Sequence, residues 1–238
     1  MVRVAYTSSM VSRYSLYTIA DLRDRFALTS GLPKGVKPRY NIHPTLQAPV
    51  IISQNNHPEV VQMSWGLMPK GAKDTNSVFR YKTHNVPSEK ILAKHSWETA
   101  VRHNRCLVPA NGFYQLVGQG SEKRAYHIQL KDSPIFAFAG VYSTWSDADT
   151  VHSTYSIITS TVPHSLRHIG DRMPIILSRS EEARWLDASV TDANALFDML
   201  RPISSEQLLI TEVGPEIHSL KIDTPGLIKA VSSDAFDS

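Results

Sequence analysis

The chain has 238 residues, 42% hydrophobic and 20% charged, enough apolar material for a core and too much for intrinsic disorder. Lys+Arg number 25 against Asp+Glu 22, a net charge of +3 with a sequence pI near 8.9, which permits a polyanionic partner without demanding one. No apolar run approaches the roughly 20 residues that span a bilayer, "MVRVAYTSSMVSRY" lacks the continuous apolar middle of a signal peptide, and a single cysteine, Cys106, excludes an internal disulfide.

These features lead us to expect a cytosolic protein without a membrane partner, in which Cys106, inside the apolar "RCLVPANGFYQL", is a small core residue. In chain order, "YTIADLRDRFAL" places Ile19, Leu22 and Phe26 at helical spacing behind Thr18 as a candidate N-cap, and "TSGLPKGVKP" ends it. "APVIIS" and "EVVQMSWG" read as short strands. "HNVPSEK" is expected as an ordered loop, since Pro87 bars a helix there, and a helical turn follows from Ser96, as cap, to about Arg102. "RCLVPANGFYQL", "RAYHIQL", "PIFAFAGVYSTW" and "TYSIITST" are β-rich and separated by the turn signals "GQGSEK" and "SDADT". Then come two capped amphipathic helices, "SRSEEARWLD" and "VTDANALFDML", and a late strand, "QLLITEV". With no repeat, no linker and no regular strand-helix alternation, the expected fold is one α+β domain over residues 1–238 around a mainly antiparallel, curved sheet.

Phosphate-loop, dinucleotide, nucleophile-elbow and His-Glu-x-x-His signatures are absent, so no cofactor is expected. His164 and His168 are spaced i, i+4, so a helical "PHSLRH" would set both on one face with Asp171 near enough to complete a metal triad; the plainer alternative is a solvated helix end. Arg39 in "RYNIHP" and Arg172 in "GDRMP" carry guanidinium forks that suit phosphate oxygens, although an arginine taken singly more often pairs with a carboxylate or carbonyl. Trp65 in "SWGLMPKGAKD", followed by Lys70 and Lys73, offers an aromatic face beside cations, as a single-strand groove requires, or else closes the core at a strand end.

Taken in order, "RYNIHPT", "WGLMPKGAKD", "HNVPSEK", "RCLVPANGFYQL", "FAFAGVYSTW", "YSIITST" and "DRMPIIL" resemble the successive signatures of the SRAP family of abasic-site-processing proteins. The resemblance implies a barrel-like β core flanked by helices, and the chain is expected to act as a monomer. It also implies a cationic groove for single-stranded or abasic DNA, to which Arg39, Asn41, Trp65, Lys70 and Arg172 would contribute. A DNA-damage (SOS) role follows, nucleoid-associated if the source is bacterial or phage. Family members expose a cysteine at position 2, followed by a glycine-arginine pair, and its amine and thiol capture an abasic aldehyde as a thiazolidine. An asparagine, a glutamate and a histidine surround it.

Against that pattern Val2 stands at the nucleophile position, Gln115 ("GFYQL") at the glutamate and Gly170 ("IGDRMP") at the histidine. Asn85 in "HNVPSEK" keeps the asparagine, Glu89 fits the same motif, and Pro87 falls where an arginine is usual. An amide accepts and donates hydrogen bonds but exchanges no proton near neutral pH. The expected function is therefore non-covalent gripping of single-stranded or abasic DNA, with enzymatic activity open. One alternative is an amine enzyme whose processed Val2 forms a Schiff base, and another is a metal-dependent hydrolase using His164, His168 and Asp171. His168 is also a candidate to fill the place left by the histidine at 170.

Overall fold

The computed structural model describes residues 11–68, 82–91, 95–118, 120, 123–146 and 151–231. The elements are β1 (Tyr14–Leu16), α1 (Leu22–Arg25), β2 (Arg39–Ile42), β3 (Gln47–Gln54), β4 (His57–Trp65), β5 (Asn85–Pro87), α2 (His95–His103) and β6 (Arg105–Ala110). They continue with β7 (Gly112–Val117), β8 (Arg124–Leu130), β9 (Phe136–Ser146), β10 (Val151–Thr161), β11 (Arg172–Pro174), β12 (Ile176–Leu177), α3 (Arg179–Leu186), α4 (Ala193–Asp198) and β13 (Leu208–Val213). This is the expected α+β fold with a mainly β core.

Two sheets build it. One has the order β13-β8-β7-β1-β2. In the other, β10 pairs with β4, β4 with β3, β3 with β6, β6 with β9, and β9 with β10 again, so five strands close into a barrel. Closure removes the free edges that such strands would otherwise present. The β3–β4 hairpin turns at Asn55 and Asn56, both at positive φ, the conformation that a tight two-residue turn asks of its centre. β5, β11 and β12 extend the barrel sheet, and β10 makes both of the parallel pairings, with β4 and β5.

The aromatic core lies where the sheets meet. Tyr14 from the open sheet packs edge-on against Trp65 (ring centroids 5.2 Å apart) and Phe138 (5.9 Å), and its hydroxyl lies 2.7 Å from that of Tyr155. Cys106 is fully buried, and burial pushes its thiol well above the usual range, as suits an inert core cysteine. Gly112 is required by close approach: a Cβ there would lie 2.3 Å from His127 Nε2 and 2.9 Å from the Ile128 carbonyl.

Three local expectations need correction. The first helix begins at Leu22, with Asp21 before it, because the Thr18 hydroxyl and the Tyr17 and Thr18 amides are taken by the Asn111 side chain. "HNVPSEK" is strand β5 followed by a 3-10 turn at Ser88–Lys90; it extends because β10 supplies a parallel partner. α2 starts at His95, so Ser96 lies within its first turn. The two late helices have the expected caps, Ser178 in a capping box with Glu181 and Asp192 accepting from the Ala195 amide.

Candidate functional site

The site forms where β5, β7, β11 and the approach to β1 converge. β5 pairs with the middle of β10, placing Asn85 opposite Ile157, while β11 pairs with its end, placing Arg172 opposite Thr161. Asn85 is buried, and its Nδ2 donates to the Val11 carbonyl at 2.5 Å. Its Oδ1 is also buried and accepts no hydrogen bond from the described residues. An unpaired acceptor in a buried place is costly unless a ligand or water meets it.

From β7, buried Gln115 donates through Nε2 to the Arg172 carbonyl at 2.5 Å. Its carboxamide lies over Gly170, where a Cβ would come within 2.9 Å of Oε1 and 3.0 Å of Cδ. Gly170 has φ +154°, a conformation side-chain-bearing residues rarely adopt, so strain and collision together oppose a larger residue. The position is occupied by Gln115 and leaves no space for His168, which is exposed.

Arg172 carries an organised guanidinium. Nε donates to Thr159 Oγ1 (3.1 Å), Nη2 to the Thr159 carbonyl (2.7 Å), and the fork grips Glu89 at 2.8 and 3.4 Å. Burial raises the Glu89 carboxyl, but the Arg172 hydrogen bond, backbone amides and the Arg172 charge outweigh it and hold it below its ordinary value. Arg39 is likewise half-exposed and ion-paired with Asp223. Both guanidiniums are therefore already paired with carboxylates, Arg172 through its fork and Arg39 through Nε.

Of the other residues singled out for DNA contact, Trp65 is fully buried among Tyr14, His84 and Tyr155, with Nε1 donating to the His84 carbonyl, so its ring presents no face to a base. Asn41 is also buried and clasps the Ser219 and Ile222 carbonyls. Lys70, Lys73 and Val2 lie outside the described residues. "PHSLRH" forms a 3-10 turn at His164–Leu166, where the i, i+4 spacing does not align two side chains as an α-helix would. Among the described residues no group of three His, Cys, Asp or Glu side chains is placed to hold a metal ion, which removes the His164, His168, Asp171 triad.

Two buried histidines flank this region. His84 is held down to about 4 by burial and then by the Lys82 charge; His127, whose Nε2 lies 2.9 Å from Ser15 Oγ, is also held to about 4 by burial, against a raising contribution from Gln129. The unfolded chain takes up these protons more readily, so the stabilisation is complete above about pH 6.5 and is lost as pH falls toward 4. Unfolding by urea at pH 7 and pH 5 is expected to show a loss of about 1–2 kcal/mol for each buried histidine at the lower pH. His43 and His218, also lowered, push the same way, whereas Glu89 acts only below its ordinary 4.5. A flat stability between pH 7 and pH 5 would refute the neutral burial of these rings.

The sequence pattern of the family described as SOS response associated peptidase (SRAP) matches residues 10–220. The chain belongs to the SRAP family. Its SRAP relatives include the abasic site processing protein YoaM of Bacillus subtilis (strain 168), 32% identical over 229 residues, covering 93% of this chain and 98% of YoaM. The abasic site processing protein HMCES of Gallus gallus is 28% identical over 220 residues, covering 79% of this chain and 65% of HMCES. A crystal structure of a protein from Bacteroides thetaiotaomicron superposes with a TM-score of 0.79 at 26% identity, covering 95% of this chain and 99% of that one.

The SRAP match begins at Met10. Val11, the second residue of that match, is the residue bound to Asn85. Sequence reasoning overlooked Val11; the second methionine, three residues before an arginine, was the available signal.

Proposed function

We propose that this SRAP chain binds single-stranded DNA carrying abasic sites, in the context of DNA damage, and does so without the thiazolidine link. The observation that carries the reading is the site itself: Val11 at Asn85, and Gln115 folded over Gly170. Val11, rather than Val2, takes the place of the family's reactive residue, since Met10-Val11-Ser12-Arg13 keeps the methionine and arginine of the family's start at their spacing, and its side chain carries no thiol. With no thiol there, closure of a thiazolidine ring has no sulfur nucleophile. Gln115 offers no ionisable group for acid–base chemistry, while Asn85 Oδ1, without a partner among the described residues, remains as an acceptor for a sugar hydroxyl. The names of YoaM and HMCES support abasic DNA as the ligand.

The test runs a gel shift and borohydride trapping side by side on the full chain with abasic single-stranded DNA. The expected result is retention that falls steeply with salt and no trapped adduct. No retention at low salt sinks the DNA reading. A trapped band would instead establish amine chemistry, and peptide mass analysis would locate the amine.

A further inference from the structure

Arg13 follows Val11 by two residues, and its carbonyl accepts the Tyr114 amide at 3.0 Å, fixing its backbone beside the site strand β7. Its Nε donates to the Ile217 carbonyl at 2.9 Å, which anchors the half-buried guanidinium against the 3-10 turn Pro215–His218. Its other contact is a long 3.5 Å one from Nη1 to the Ser12 carbonyl. A guanidinium has five N–H groups, so both on Nη2 and one on Nη1 find no acceptor among the described residues. In contrast to Arg39 and Arg172, Arg13 has no carboxylate partner there.

Two imidazoles share this place. One step beyond the Tyr14–Ile42 pair, Arg13 and His43 are the next residues of the two antiparallel chains. His43 Nδ1 donates to the Pro44 carbonyl at 3.0 Å, leaving Nε2 for another partner. His218 adjoins the carbonyl that anchors Arg13, and its Nε2 is buried without a partner among the described residues. Asp223 also acts on His43, but its carboxylate is committed to Arg39 and to the Tyr40 and Asn41 amides. Lys123 adds positive charge near His218.

We propose that Arg13, His43 and His218 form a phosphate subsite that takes one phosphodiester of the bound strand, a proposal that rests on the DNA reading above. A planar fork with open donors, beside two rings that become donors on protonation, suits a tetrahedral anion. The electrostatics agree. Burial first, then Arg13 with Arg39 for His43, and burial, Lys123 and Arg13 for His218, hold both rings below their ordinary value, with the Pro44 hydrogen bond and Asp223 opposing at His43. A bound phosphate relieves that repulsion, so both rings protonate more readily when it is present and binding strengthens as pH falls.

The experiment has two arms on the full chain. In the first, the His43 and His218 imidazole signals are followed by NMR from about pH 5 to about pH 8 with and without inorganic phosphate, in the original protein and in Arg13→Gln. Phosphate is expected to raise both titration midpoints in the original protein only. In the second, fluorescent oligothymidylate is titrated at several salt concentrations: Arg13→Gln is expected to weaken binding about tenfold and reduce the salt slope by about one. His43→Gln, which leaves the Ile217 bond intact, is expected to diminish the gain in affinity at lower pH and guards against a folding defect in Arg13→Gln. Absence of a phosphate response, or an Arg13→Gln protein with unaltered affinity and slope, overturns the subsite. A phosphate response in a protein that ignores DNA supports the anion site and overturns its assignment to a DNA strand.

Discussion

Trp65→Ala is expected to cost about 3–5 kcal/mol of folding stability, as for other large core aromatics replaced by alanine. For a chain of this length that is a drop in Tm of roughly 6–20 °C. The side chain is completely buried, stacks on Tyr155, meets Tyr14 edge-on and ties β4 to the His84 carbonyl through its indole N–H. Calorimetry of Trp65→Ala measures the packing contribution. Trp65→Phe separates packing from recognition: it keeps an aromatic ring and loses one hydrogen bond, so DNA affinity is expected to be unchanged in protein that remains folded. A Trp65→Phe protein of normal Tm that binds oligothymidylate poorly would return the ring to the DNA groove.

Arg105→Ala is expected to be similarly severe, about 3 kcal/mol or more, measured by urea unfolding. Arg105 is buried at the start of β6, and its fork donates to four carbonyls: Trp185, Asp187, Val101 and Arg102. Val101 and Arg102 lie in the last turn of α2, Trp185 and Asp187 at the end of α3. One cation thus serves the negative ends of two helices and satisfies oxygens that have no partner within them. Deleting it strands three of these acceptors at once, while the Asp187 carbonyl keeps the Val190 amide at 3.1 Å. Arg105→Lys is expected to recover only part of the loss, since an ammonium carries the charge without the planar fork. Stability of Arg105→Ala within about 1 kcal/mol of the original would show that water replaces these bonds freely.

Much of the fold was legible because its strands announce themselves through local chemistry. "APVIIS", "RCLVPANGFYQL" and "TYSIITST" are β-branched or aromatic runs between turn signals; the first and last each lie in one strand, and the second forms two, β6 and β7, one in each sheet. What escaped depended on distant partners. β5 is extended because β10, some seventy residues later, pairs with it, and nothing within "HNVPSEK" encodes that partner. Thr18 reads as a helix cap until Asn111 takes its hydroxyl.

The site shows the same division. Motif order points to Asn85, Gln115 and Gly170 together, and Gln115 lies against Gly170 in the structure. The roles of Arg39 and Arg172 were not readable, because Asp223 and Glu89 reach them from remote segments. Trp65 beside a lysine-bearing stretch has the same local pattern whether it faces solvent or core; burial by Tyr14 and Tyr155 decided it.

The ring of five strands has a consequence for how the molecule is made. β3, β4 and β6 are synthesised well before β10, yet the ring has no last member until residues 151–161 lie beside both β4 and β9. A nascent chain leaving the ribosome therefore carries an incomplete curved sheet with one open flank, and cannot seal it until β10 has emerged. Such dependence on widely separated segments slows the final search and leaves that flank available to chaperones or to neighbouring chains in the interval.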